Sequence, residues 1–341
     1  MVKYYSDQAP LRNNKNFIIN GNMEIWQRGT GPFTTSGDYT ADRWRYTESS
    51  SGSYSISRST DVPSGINANY SAEATVVTAD TSVDSGDWLI PFHYTIEGVD
   101  FLPLVGKTAT LSFWVKSNLT GTYSVSFRNS GADRSYVIDY TIDQANTWER
   151  KILTITFDFS GGTWTYDTGD AGCNIYFTAL VGSDRQGVPG SWLSSNCLGS
   201  VNQVNWAATV SNTLNLTHVQ LEFGNVATDF DYRIYSDELA RCQRYYYNCA
   251  NDDLNKVSFD GSTSGQTYYG SGQFPCKMAV QPTITVTGTS ESGAGFNGIG
   301  TGDITVDNIS VQGFRNRCTA VATDAGNNSY GFSYTADGEL I

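Results

Sequence analysis

Two histidines in 341 residues leave little room for histidine chemistry. His93 in "PFHYT" and His218 in "LTHVQ" both sit in strand-like runs, with no Gly-x-Ser-x-Gly elbow or similar partner nearby. Each reads as a packed or hydrogen-bonded side chain rather than a base beside a nucleophile. The six cysteines (Cys173, Cys197, Cys242, Cys249, Cys276, Cys318) contain no C-x-x-C pair, so with so few histidines a zinc set is not expected. Buried reduced thiols are the expected state, and a Cys173–Cys197 bridge in an oxidising medium is the alternative. Charged residues are scarce at 16%, and the net charge of -13 lacks the basic face that displaces counterions from nucleic acid. No stretch approaches the roughly 18 consecutive apolar residues of a membrane span. The opening "MVKYYSDQAPLRNNKN" has no apolar run after its first charge, so no secretory signal is expected and synthesis in a cytosol is. The glycine clusters between Ser292 and Gly302 lack the strand-to-helix setting and Lys-Ser/Thr ending of a phosphate loop. Acids are plentiful between Asp133 and Asp170, but no spacing singles out a catalytic pair.

What is abundant is Gly, Ser, Thr, Asn and aromatic residues, the last at 13%. That composition suits a loop-rich all-β protein. Period-2 alternation recurs along the chain. Leu111, Phe113 and Val115 share one face of "TLSFWVKS"; Tyr123, Val125 and Phe127 do so in "YSVSFRN". Leu153, Ile155, Phe157 and Phe159 alternate with polar residues, as do Ile175, Phe177, Ala179 and Val181, and then Val219, Leu221 and Phe223. Strands apolar on one face predict two packed antiparallel sheets, a β-sandwich or jelly roll. Only "SDELARCQRYYYN" reads as helix, with Ser236 as N-cap, Asp237 and Glu238 in the first turn, and Arg241 and Arg244 later. Leu239, Cys242, Gln243 and Tyr246 fall on one side of it. The expected organisation is an arm over residues 1–15 carrying Lys3, Arg12 and Lys15, a jelly roll over 16–235, a linking helix over 236–249, and a smaller β-domain over 250–341.

Trp88 in "SGDWLIPF", Trp164 and Tyr166 in "GGTWTYDTGD", and Trp192 in "PGSWLSSN" lie in polar, glycine-bearing surroundings. Sugar rings stack their C–H faces on such side chains while neighbouring Asp and Asn bond the hydroxyls. The alternative is that these aromatics cap the ends of the sandwich or sit in a subunit interface.

"NFIINGNMEIWQRGTG", "YTADRWRY", "YTIEGVDFLPLVGKTATLSFWVKSNLTGTYSV" and "LNLTHVQLEFGNVATDFDYRIYSDELARCQRYYY" together resemble a family of bacteriophage virion proteins. These are tail-fibre, head-fibre and related structural proteins whose main domain is similar to jelly-roll carbohydrate-binding modules. The resemblance implies a non-enzymatic, homotrimeric virion component assembled in the host cytoplasm, with no nucleic-acid or membrane partner. Its N-terminal arm would attach to another virion protein, and its jelly roll or C-terminal knob would contact host surface glycans. It also implies that "NGNMEIWQRG" is the first strand, with Trp26 inward, that "LSFWVKS" is central, and that "LTHVQLEFG" closes the fold beside the N-terminal strand. If the helix gathers at a three-fold axis, Leu239, Cys242 and Tyr246 are the interface candidates. Such modules often carry a structural calcium near the first and last strands. Glu24 offers an acid at one end, but His218 and Gln220 stand where another acid is expected, so no cofactor is assigned. A head decoration or collar component without sugar binding is the alternative, and a capsule depolymerase a third reading.

Overall fold

The computed structural model describes residues 15–166, 169–249 and 255–340. Of the expected attachment arm, Lys15 alone lies within them. The chain is all-β: a jelly-roll sandwich, one short helix, and a smaller β unit, the architecture the alternation predicts. It divides into two compact units. The first holds the described residues up to Glu24, with Thr30–Thr40 and Trp44–Arg233; the second holds Ile25–Gly29, Ala41–Arg43 and the described residues from Ile234 onward.

The first unit is built from β1 (Trp44–Ser49), β2 (Ser53–Ser59), β3 (Ser71–Thr78), β4 (Trp88–Glu97), the single helical turn α1 (Gly98–Phe101), β5 (Thr108–Ser117), β6 (Gly121–Asn129), β7 (Ser135–Ile142), β8 (Glu149–Thr156) and β9 (Ala171–Thr178). Four two-residue strands follow, β10 (Leu180–Val181), β11 (Gln186–Gly187), β12 (Trp192–Leu193) and β13 (Gly199–Ser200), and then β14 (Thr213–Phe223). One sheet runs β1-β4-β9-β6-β7-β12, with β10 also on β4; the other runs β2-β3-β14-β5-β8. Every neighbour in both is antiparallel.

The alternating residues meet between these sheets. Leu111, Phe113 and Val115 from β5 and Tyr123, Val125 and Phe127 from β6 are all buried. Phe113 packs edge-on to Phe177 of β9 and to Tyr140 of β7, at 5.1 and 5.2 Å between ring centroids. Burying each such ring stabilises the fold by about 1.5–3 kcal/mol. In β14 the inward set changes parity: Leu214 and Leu216 are buried, and so are Val219 and Leu221. The register explains how, because Thr217 faces Trp114 while Gln220 faces Ser112, three residues against two. His218 is one of the two residues inside that bulge, and it takes a left-handed φ of 50°. Without the extra residue, Val219 and Leu221 would point to solvent.

The opening segment differs from the expected first strand. Residues 16–31 form turns and extended coil, although Trp26 is buried as anticipated, and Met23 and Ile25 with it. Their backbone is satisfied by local turns and by β14: Phe17 N–H donates to Leu221 O (2.9 Å), and Val219 N–H to Gly21 O (2.8 Å). The Asn16 side chain donates to Val219 O and accepts from Leu221 N–H. A Cβ on Gly21 would lie 2.1 Å from Val219 O, so this close approach requires glycine.

The second unit contains α2 (Tyr235–Gln243), β15 (Tyr246–Cys249), β16 (Val257–Ser262), β17 (Thr267–Gln273), β18 (Thr283–Ser292), β19 (Thr305–Asp307), β20 (Gly313–Thr319) and β21 (Asp324–Asp337). The long β21 is the spine: β15 and β16 pair with successive stretches of it, β18 pairs along Ser329–Asp337, and β17-β20-β19 form a separate sheet. Met278, Phe296, Phe314, Tyr330, Phe332 and Tyr334 form its core. The helix expected over 236–249 stops at Gln243, since the aromatic run that follows suits a pleated sheet and Tyr246–Cys249 joins β21. Its N-cap position is Ile234, without a side-chain capping bond, and Ser236 lies inside the first turn.

Candidate carbohydrate-binding surface

The loop from Asp158 to Tyr166 turns through Gly161 and Gly162, both at φ near 80°. It folds Trp164 back over the first unit. There Trp164 stacks on Phe101 at 5.7 Å and 22°, tilts against Phe159 at 4.4 Å, and meets Trp192 edge-on at 5.7 Å. Trp192 sits on the edge strand β12 beside Tyr136 (5.4 Å), and Tyr166, 41% exposed, lies edge-on to Phe159. The polar edges of both indoles are already used. Trp164 Nε1 donates to Gly161 O (3.0 Å), and Trp192 Nε1 to Thr156 O (2.9 Å). Fixed edges hold half-exposed rings in place, which is what a stacking platform needs.

Charged groups surround the rings. Arg134 donates to Asp158 Oδ2 (2.8 Å) and to Ser194 Oγ (3.2 Å), with its guanidinium 5.9 Å from the Trp192 ring centre. Asp133 accepts from the Asn129 amide, the Thr163 N–H and the Thr163 hydroxyl, and these bonds hold its carboxyl below the usual range. Asp158 is lowered likewise, first by the Ser160 N–H and hydroxyl and then by Arg134. Both are therefore held ionised by bonds within the protein, Asp133 to Thr163, the neighbour of Trp164, and Asp158 to the Arg134 that flanks Trp192.

The structure thus gathers Trp164, Tyr166 and Trp192 but not Trp88. Trp88 packs instead against Ile90, Tyr176, Val181 and Leu198, a small cluster at the start of β4. Of the interface candidates, Cys242 and Tyr246 are buried within the chain and Leu239 is half-buried. Glu24 accepts from Asn69, Gln220 donates to Glu222 and to Asp229 O, and no group of three metal-ligating side chains occurs among the described residues. All six cysteines are free thiols.

His93 is the packed, hydrogen-bonded side chain expected, but the sequence did not disclose the polar network around it on the non-core face of β4 and β9. His93 Nε2 lies 2.8 Å from Asn174 Oδ1, and Thr95 Oγ1 donates to the same oxygen at 2.9 Å. Tyr176 packs on His93 at 4.5 Å, with Arg128 4.9 Å above its ring. The available signal was the parity opposite Ile175 and Phe177, which carries hydrogen-bonding residues rather than the charges of a solvated face.

Fold and surface together define a jelly-roll β-sandwich protein with a half-exposed aromatic platform. No protein-family model and no curated protein matches the chain. Among solved structures, the enzymatically active domain of bacteriophage CBA120 tailspike protein 4 aligns over 62% of this chain at 16% identity and a TM-score of 0.36. The alignment spans only 22% of that tailspike chain. The family 11 carbohydrate-binding module of the Clostridium thermocellum cellulase Lic26A-Cel5E aligns over 57% of this chain and 96% of its own, at 10% identity and a TM-score of 0.32. TmCBM61, solved in complex with β-1,4-galactotriose, covers 62% of this chain and 100% of its own, at 8% and 0.32. At these scores the likenesses carry no functional argument; the fold class rests on the strand order and core.

Proposed function

We propose that the chain is a non-enzymatic bacteriophage structural protein, a trimeric fibre-like appendage that attaches to the virion by its N-terminal arm. Through Trp164, Tyr166 and Trp192 it contacts host surface glycans. The observation that carries the glycan reading is the Trp164–Trp192 platform, with indole edges tied down and Arg134, Asp133 and Asp158 beside it. The virion assignment rests on the sequence resemblance. No catalytic group is required: weak sugar contacts add up when many copies act together. The purified chain should bind a subset of bacterial surface glycans on an array. Trp192→Ala should weaken that binding about tenfold or more, in the range of alanine replacement at a stacking aromatic hot spot. Arg134→Gln should weaken it less. A blank array, or unchanged binding in a folded Trp192→Ala protein, points to a head decoration or collar component that touches only virion neighbours.

A further inference from the structure

A second site lies on the outer face of the five-stranded sheet, within the first unit. There a half-open cavity of about 370 Å³ is lined by Trp114, Arg150, His218, Asp229, Phe230 and Tyr232. Its volume is at the lower end of the roughly 300–1,000 Å³ of small-molecule sites. Trp114 and Arg150 are cross-strand partners on β5 and β8, and Trp114 is also opposite Thr217, beside the β14 bulge. The bulge is what turns His218 toward the cavity, and a non-glycine residue at φ 50° is a conformation that only surrounding structure maintains.

The walls are built in advance. The His218 ring lies 3.0 Å from the Tyr232 hydroxyl and edge-on to Phe230 at 4.4 Å, while Phe230 and Tyr232 cross at 5.0 Å. The loop that brings Asp229 is clipped to β14: Gln220 donates to Asp229 O (3.2 Å) and accepts from Asp231 N–H (2.7 Å), and Glu222 accepts from Thr228 N–H (2.8 Å). Arg150 is steered by the Thr228 carbonyl at 2.6 Å. Asn67 and Ser112 complete the polar lining.

We infer that this cavity binds a single neutral sugar ring, separately from the Trp164–Trp192 surface. Aromatic faces from Trp114 and Phe230 offer the apolar contact. Arg150 and Asn67 supply donors, and Asp229 a carboxylate acceptor for ring hydroxyls. Arg150 and Asp229 cancel in charge, and His218 is held neutral at pH 7 by burial, so the lining does not select an anionic ligand.

The test is ligand-observed NMR on the full chain with the methyl glycosides of glucose, galactose and mannose, and with methyl glucuronide as the charged comparison. At least one neutral glycoside should bind. Asp229→Asn, which keeps the cavity's shape, and Trp114→Ala should each weaken binding about tenfold, the effect of losing one hydrogen bond to a charged group or one stacking face. Trp192→Ala should not remove the component of binding that Asp229→Asn removes. The inference is overturned if no neutral glycoside binds, if only the glucuronide does, or if Trp192→Ala abolishes binding that Asp229→Asn leaves intact. The last pattern would leave the surface platform as the sugar site.

Discussion

At the scale of single residues, burial pulls the His218 pKa from 6.5 down to about 4, and pushes that of Asp42, in the second unit, from 3.8 up to about 6. The two act on stability with opposite signs. A depressed histidine favours the folded state fully above its unfolded pKa, and that contribution disappears as pH falls from 6.5 through about 4. A raised carboxyl contributes fully below its unfolded pKa, and its contribution disappears as pH rises through about 6. Each shift corresponds to at most about 3 kcal/mol. Urea unfolding from pH 4 to 8 should therefore show His218→Gln losing less stability than wild type on acidification. As pH rises from 4 to 6, Asp42→Asn should lose less stability than wild type. Parallel curves for wild type and variant would mean that the group in question titrates normally.

At the scale of elements, alternation was readable wherever a strand has one core face. β8 alternates buried and exposed as the sequence pattern has it, and in β5 and β6 the apolar residues of the pattern are all buried, together with Thr110, Ser112, Ser124 and Ser126 of the other parity. The opening segment was not readable, because its partner β14 is some two hundred positions away and its buried residues are placed by turns. An apolar cluster announces burial, not the backbone that achieves it. The same holds for the aromatic platform: the loop tryptophans stood out, but only the fold could separate Trp88 from Trp164 and Trp192. Least visible was the part played by Ile25–Gly29 and Ala41–Arg43 in the second unit. There Arg43, 1% exposed, pairs with Glu339 and lies 3.5 Å over Tyr245. Arg28 reaches Glu339 and Asp337 and lies 3.5 Å over Tyr246, while Gln27 bonds Asp42 and the Tyr246 carbonyl. Arg43→Ala would leave Glu339 with a reduced countercharge in a buried site, at a cost of about 3–5 kcal/mol. Arg43→Met with Glu339→Leu should recover much of it, because the pair's desolvation is removed together with its attraction. A double mutant as unstable as Arg43→Ala would show that the Arg43–Glu339 pair does not hold these segments by itself, and that the contact on Tyr245 or the Arg28–Glu339 pair does.

At the scale of the whole molecule, the proposed trimer would determine how useful weak sugar contacts are, since linked copies convert later contacts into intramolecular ones. The helix can contribute to such an assembly only by its open side. Cys242 is fully buried and Tyr246 nearly so, so replacing either perturbs the fold of the subunit before it tests any contact between subunits. Ile234 and Tyr235, at 68% and 59% exposed, and the half-buried Leu239 are the apolar side chains left to meet a partner. In the proposed trimer, light scattering on the purified chain should give three times the chain mass. Tyr235→Asp and Leu239→Asp should each reduce it to one chain mass, because an unpaired carboxylate buried at a three-fold contact costs several kcal/mol. Far-UV circular dichroism unchanged from wild type would establish that the subunit itself had survived. A trimer that persists in both variants moves the interface away from α2, and a wild-type protein of one chain mass removes the trimer from the proposal. In the second case the glycan array decides what remains, for a monomer with a sugar platform would need to be displayed in many copies on the particle to hold a cell surface.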